Sequence, residues 1–498
     1  MKQLMTIALG VVIVAFFTAA LYILELPPFN KGGVWGPVAT QQETEQGVSA
    51  NIPDLLAEDQ KVGRSKSYDE YMSRGKAQED NGYHTMAVAE YQAASKLAPD
   101  RLDPIIEIGR IYLRENDYIN AKLTFQRALE LSPDNTDVKV YLVRSLLGDR
   151  KITEAQKLID SITLPNQQSR YYQGIIAAYF DDEQKATNLL NESMVLGSNP
   201  DTISKAQNFL NAYAEYHFNQ GGSPVHLKTL LGRSFNQVGE YQMAIPLLFD
   251  VLKEKKDYRD AWVLLGFAYL NIEKYQDAVE ALEQAKKLDS QKPETLFYLG
   301  LGYFGLNDLK QAATDLELAK QYGYEPVIQI NQKLAEIYLQ LKKYPESADN
   351  FEQVLALNDT DINYFIKPMW IYIERLHEPE KAYTLAQKAQ KAHPKEAMSY
   401  NLLGWASIGT NHLSEAEDYL KKAMIIDPHL DAVYLNYGLL QEKRGMLTEA
   451  VANYRKAYAM GNGNSISSSA ADHYNQLIKT LDQTNPTLKA NLLSGSNP

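Results

Sequence analysis

Apolar residues along this chain fall in short clusters spaced as i, i+3, i+4 and i+7, the mark of amphipathic helices, with polar turns between them. The clusters repeat. In the block Leu102 to Asn135, Gly109 and Tyr112 lie on a first predicted helix and Ala121, Phe125 and Ala128 on a second, and Pro133 closes the block. The block from Ala397 has the same layout, with Tyr400, Leu403, Gly404, Ala416, Leu420, Ala423 and Pro428. The next copy begins about 34 residues on, with Tyr434, Gly438, Ala450, Tyr454 and Ala457. Copies from Tyr68 (Tyr71, Gly75, Ala87, Tyr91), from Arg259 (Trp262, Gly266, Ala278, Leu282) and around Leu299 (Gly300, Tyr303, Ala312, Leu316) keep it too. Apolar content spread in this way predicts many small cores in series rather than one large one.

The turn after the first helix carries Gly or Asn at Gly82, Asn116, Gly239, Asn307, Asn411 and Gly445, residues that tolerate the left-handed backbone ending a helix. Pro99, Pro133, Pro394 and Pro428 end second helices. Weaker copies start at Thr136, Ser169, Val225, Ile328 and Asn363; Pro246 and Pro368 fall inside predicted helices and should kink or shorten them. The register breaks between Asn199 and Ser223. There, Ile203 to Phe218 reads as one helix before the turn Gly221–Pro224, either a joint between two superhelical segments or a degenerate repeat. Ala470 to Leu481 reads as a capping helix.

Over residues 67 to 460 the pattern resembles the tetratricopeptide-repeat (TPR) family. The resemblance implies an all-α solenoid, stacked antiparallel helix hairpins in a right-handed superhelix. Small residues at positions eight and twenty would draw the two helices of a hairpin together. Large ones at four, eleven and twenty-four would fill gaps between hairpins. The implied function is protein binding on the concave face, lined by positions two, five, nine and twelve of each first helix.

On that map, position nine is Lys76, Arg110 and Arg144 in the early repeats and Arg233 after the break, with Arg114 one turn beyond Arg110. Together they form an expected basic stripe suited to an acidic peptide, or one neutralised by Glu79, Asp80 and Glu107. In later repeats position nine is Phe267, Leu301, Trp405 and Leu439, with Phe297, Phe304 and Ile408 nearby. These would line an apolar groove for a partner segment, or be buried between hairpins. The Lys and Asn that some TPR co-chaperones use to clamp a carboxy-terminus are absent from the corresponding first-repeat positions, where Met72 and Lys76 stand.

One stretch departs from the repeat. Leu4 to Leu24 holds no charged residue and, as a helix of about 31 Å, is long enough for a hydrocarbon core of about 30 Å. Lys2 precedes it and Pro27 and Pro28 follow. The expected organisation is a cytoplasmic N-terminus (1–3), a transmembrane helix (4–24) and a flexible linker (25–66). An N-terminal TPR segment (67–200), a joint helix and turn (201–224), a C-terminal TPR segment (225–460) and a capping helix with tail (461–498) follow. The N-terminus would stay inside and the repeats be exported across the cytoplasmic membrane. The competing reading is a cleaved signal peptide, whose apolar core is ordinarily shorter.

The formal charge of -12 argues against a general nucleic-acid binder. The absence of cysteine excludes disulfides, thiolate metal sites and cysteine nucleophiles. The eight histidines form no H-E-x-x-H pair, and neither a G-x-S-x-G elbow nor a phosphate loop occurs. The expectation is a non-enzymatic scaffold with no cofactor, metal or small-molecule substrate, its partners being other proteins or peptides.

Overall fold

The computed structural model describes residues 67–218, 222–461, 463–487 and 489. Among them are 24 α-helices and no strand. The expected transmembrane helix and linker lie outside the described residues. Within the described residues, no helix is long and apolar enough to cross a membrane.

The described chain divides into two compact units, 67–290 and 291 onward. In the first, Tyr68–Asp80 pairs with His84–Leu97, Asp103–Arg114 with Tyr118–Leu131, Thr136–Gly148 with Ile152–Asp160, and Gln167–Tyr179 with Glu183–Leu196. After the unpaired helix Pro200–Phe218 come the hairpins Pro224–Gln237 with Tyr241–Glu254 and Arg259–Asn271 with Tyr275–Leu288. The second unit pairs Pro293–Gly305 with Leu309–Gln321, Val327–Gln340 with Tyr344–Leu357, Ala397–Gly409 with Leu413–Ile426, and Asp431–Lys443 with Leu447–Gly461. The helix Ser465–Thr484 packs on the last of these hairpins.

Local chemistry sets the helix ends. Ser67 and Glu70 form a reciprocal capping box at the start of the first helix. Asp117, Asn135, Asp182 and Asp308 each accept a backbone N–H at a helix start. Each of the six predicted turn residues, Gly82 through Gly445, has positive φ. Arg150, Asp181, Glu273, Lys342 and His377 adopt the same conformation in the corresponding turns of other hairpins.

The glycine at position eight sits where the two helices of a hairpin approach closely: a Cβ on Gly300 would lie 3.2 Å from the Ala312 carbonyl oxygen of the partner helix. A Cβ on Gly109 would lie 2.4 Å from Phe125, and one on Gly404 2.6 Å from Leu420. The glycine therefore makes room for the large residue at position twenty-four of its own hairpin. Phe125, Tyr91 and Tyr454, all at that position, are buried, and Phe125 also stacks on Tyr141 of the next hairpin at 5.2 Å, so the large residue fills the gap between hairpins as expected. Each contributes on the order of 1.5–3 kcal/mol of burial.

Two irregularities follow the prolines and the register break. The helix Pro200–Phe218 packs on both its sequence neighbours inside the first unit, with Phe209 edge-on to Phe235 at 4.8 Å. The division into compact units falls at 290. Pro368 sits where a first helix breaks into a 3-10 turn (Ile362–Phe365), one α-turn (Ile366–Trp370) and a π-turn (Ile371–Arg375) before Pro379–Ala392. Pro246 does not shorten its helix, which runs through from Tyr241 to Glu254.

Candidate protein-binding cleft

In the second unit, the first helices Ala397–Gly409 and Asp431–Lys443 stack next to the π-turn Ile371–Arg375, and the capping helix Ser465–Thr484 closes the far side. Between them lies a cleft of about 570 Å³. Its apolar lining is Trp405, Ile408, Leu439 and Ile373. Trp405 follows Gly404, the residue that accommodates Leu420. Leu439 stands at the same repeat position one hairpin later, following Gly438, which accommodates Tyr454.

Polar groups ring this apolar wall: Glu374, His377, Glu442, Lys443 and His473. The Tyr454 hydroxyl donates to Glu442 Oε2 at 2.5 Å, and His473 stacks on the Tyr454 ring at 5.7 Å. Glu374, His377, Lys443 and the Trp405 indole N–H make no hydrogen bond or ion pair with the described residues. Their donors and acceptors are open to a guest. Among the described residues, no group of three His, Asp or Glu side chains converges to hold a metal ion.

The remaining predicted groove residues are placed differently. Phe267 is 1% exposed and meets Tyr241 edge-on at 6.2 Å. Phe297 is 4% exposed and stacks on Tyr324 at 4.1 Å. Leu301 is buried as well. These residues belong to the core, because neighbouring helices cover the face that the repeat map assigns to a partner. Phe304 is partly buried, with the Lys333 ammonium 4.4 Å above its ring. Ile373, Glu374, His377 and His473 were missed because they come from the π-turn, the turn after it and the capping helix, outside the repeat's positional map. The signal available was Pro368 in a repeat without its glycine.

The basic stripe meets carboxylates along its length. Lys76 reaches Asp80 at 2.9 Å, Arg110 reaches Glu107 at 3.1 Å, and Arg233 pairs with Glu215. Arg114 reaches the buried carboxylate of Glu79 at 2.6 Å, and the Tyr91 hydroxyl donates to the same carboxylate at 2.9 Å. Burial would raise the Glu79 pKa, but these two hydrogen bonds outweigh it and hold the carboxyl below its usual range. Lys76 and Arg110 remain 61% and 48% exposed at the side chain, so their pairs are solvated surface contacts.

Arg144 faces Glu240, whose pKa is pushed up by burial and only partly offset by that guanidinium. Tyr172 donates to Glu240 at 3.2 Å and Arg150 Nε donates to Gln242 at 2.8 Å. The helices Thr136–Gly148 and Tyr241–Glu254 are in contact although three hairpin-lengths of chain separate them. These hydrogen bonds clasp early and late repeats of the first unit together beside Arg144.

Tetratricopeptide-repeat family models match residues 112–179, 260–292 and 397–429. No curated protein matches the sequence. Similar solved structures include the APC/C hetero-tetramer Cut9–Hcn1, 11% identical with 83% of this chain and 96% of that one covered, TM-score 0.31. Yeast Tom70 is 13% identical over 86% of this chain and 99% of that one, TM-score 0.27. YrrB, a TPR protein with an unusual peptide-binding site, is 15% identical over 45% of this chain and 97% of that one, TM-score 0.27. The matched segments fall in both units, so the described residues are all-helical and carry tetratricopeptide repeats in each unit.

Proposed function

We propose that this chain is a membrane-anchored scaffold that captures other proteins, and that the cleft of the second unit is where it holds them. The observation that carries the reading is the convergence of Trp405, Ile408 and Leu439 with unpartnered polar groups in one concavity. Apolar walls with a few open polar groups are the ordinary build of a binding site. The first unit is a poorer candidate, because Lys76, Arg110 and Arg114 of its basic stripe are paired with carboxylates and contacts between its own repeats flank Arg144.

The charge-free run Leu4–Leu24 supports anchoring, with the repeats on the extracytoplasmic side, in the assembly of an envelope, secretion or surface machine. A soluble adaptor released after cleavage is the alternative. The proposed role is non-catalytic and needs no cofactor. The test is affinity capture with the full chain and its Trp405→Ala variant. The proposal expects the variant to lose specific partners while keeping its helical content. Identical partner sets at identical yield would refute it.

A further inference from the structure

We infer that the cleft of the second unit selects segments that combine a bulky apolar side chain with a lysine or arginine; this rests on the cleft being the capture site. Three features point the same way. The wall formed by Trp405, Ile408 and Leu439 provides an apolar seat for one large side chain. The Trp405 indole N–H has no acceptor among the described residues, so it is available to a main-chain carbonyl of the guest. Around this seat stand two carboxylates against one ammonium. Among the described residues Glu374 has no counter-cation, and Glu442 is engaged only through Oε2 by the Tyr454 hydroxyl, which leaves Oε1 open.

Lys443 is the opposing cation on the wall, and no carboxylate among the described residues pairs with it. The balance of formal charge is therefore negative and unpaired. In a concavity with apolar sides, Coulomb attraction is stronger than on an open surface. A guest bringing Lys or Arg beside its anchor gains a charge-assisted hydrogen bond to Glu374 or Glu442. A guest bringing Asp or Glu gains at most the one ammonium of Lys443 and meets two carboxylates, so it is disfavoured.

The experiment is selection from a phage-displayed library of random peptides on the full chain in detergent. Selected peptides are then measured against the Trp405→Ala and Glu374→Lys variants. The expected result is enrichment of peptides with Lys or Arg next to an aromatic or large aliphatic residue. Their binding is expected to weaken about tenfold in Glu374→Lys and to fall with rising salt. Enriched peptides that need Trp405 but are neutral or acidic would overturn the charge selection and leave the cleft standing. Enriched peptides that bind the Trp405→Ala variant as well as the parent chain, or no enrichment at all, would overturn both the selection and the cleft.

Discussion

At the residue scale, Trp405 and Phe297 separate packing from binding. Both are large aromatics on first helices, and the repeat pattern alone does not tell them apart. Phe297 is stacked on Tyr324 in the core, so Phe297→Ala should cost about 3–5 kcal/mol of stability in urea unfolding. Part of the Trp405 indole already faces the open cleft, so Trp405→Ala should cost less stability and instead weaken partner binding by about 2 kcal/mol, roughly thirtyfold. Equal stability losses in the two variants would contradict this division.

Glu417 gives a prediction in pH. Hydrogen bonds from Lys421 and then Arg444 bring its pKa down from 4.5 to about 2. A depressed carboxyl pKa stabilises the fold above the unfolded value and loses that contribution as the folded group protonates. The contribution of Glu417 should therefore be complete above pH 4.5 and fade as pH falls toward 2. Glu417→Gln should flatten that part of the stability profile. An unchanged acid limb would mean that the hydrogen bonds to Lys421 and Arg444 contribute nothing.

At the element scale, the hairpins were legible because the same physical demand recurs in every one. Gly75, Gly109, Gly404 and Gly438 each leave space for the large residue opposite, and the pairing repeats at a constant interval. The turns were half legible. Gly82 or Asn116 announces a left-handed residue, whereas Arg150, Glu273 and Lys342 are forced into one by the hairpin and have no preference that would reveal it. The cleft was legible where it follows the repeat, at Trp405, Ile408 and Leu439. It was not at Glu374 and His377, which an irregular turn delivers. The positional map failed at Phe267 and Phe297 because it does not register when a neighbouring helix covers the face.

The clasp in the first unit was also invisible in sequence, since its partners, Arg150 with Gln242 and Tyr172 with Glu240, belong to distant repeats. Combining Arg150→Ala with Tyr172→Phe removes both contacts. Hydrogen exchange should then quicken up to about tenfold in Thr136–Gly148 and Tyr241–Glu254. Unaltered exchange in both helices would show that the clasp holds nothing.

At the scale of the whole molecule, proteins built from serial hairpins bury modest cores and offer long surfaces, which suits holding other proteins more than turning over a substrate. Anchoring through Leu4–Leu24 predicts that the chain resists alkaline extraction from membranes and keeps its N-terminal residues. A mature N-terminus beginning just after Ala20 would instead show the released adaptor.

The central claim is that partners sit in the cleft of the second unit. It is tested most directly by placing a photo-reactive side chain at Lys443, on the cleft wall, and in a separate chain at Ile425, 81% exposed and not part of the lining. Irradiation in living cells should yield discrete crosslinked partners from position 443 that are missing from position 425 and that vanish when Trp405→Ala is added. Partners attached equally from both positions, or insensitive to Trp405, would contradict the account.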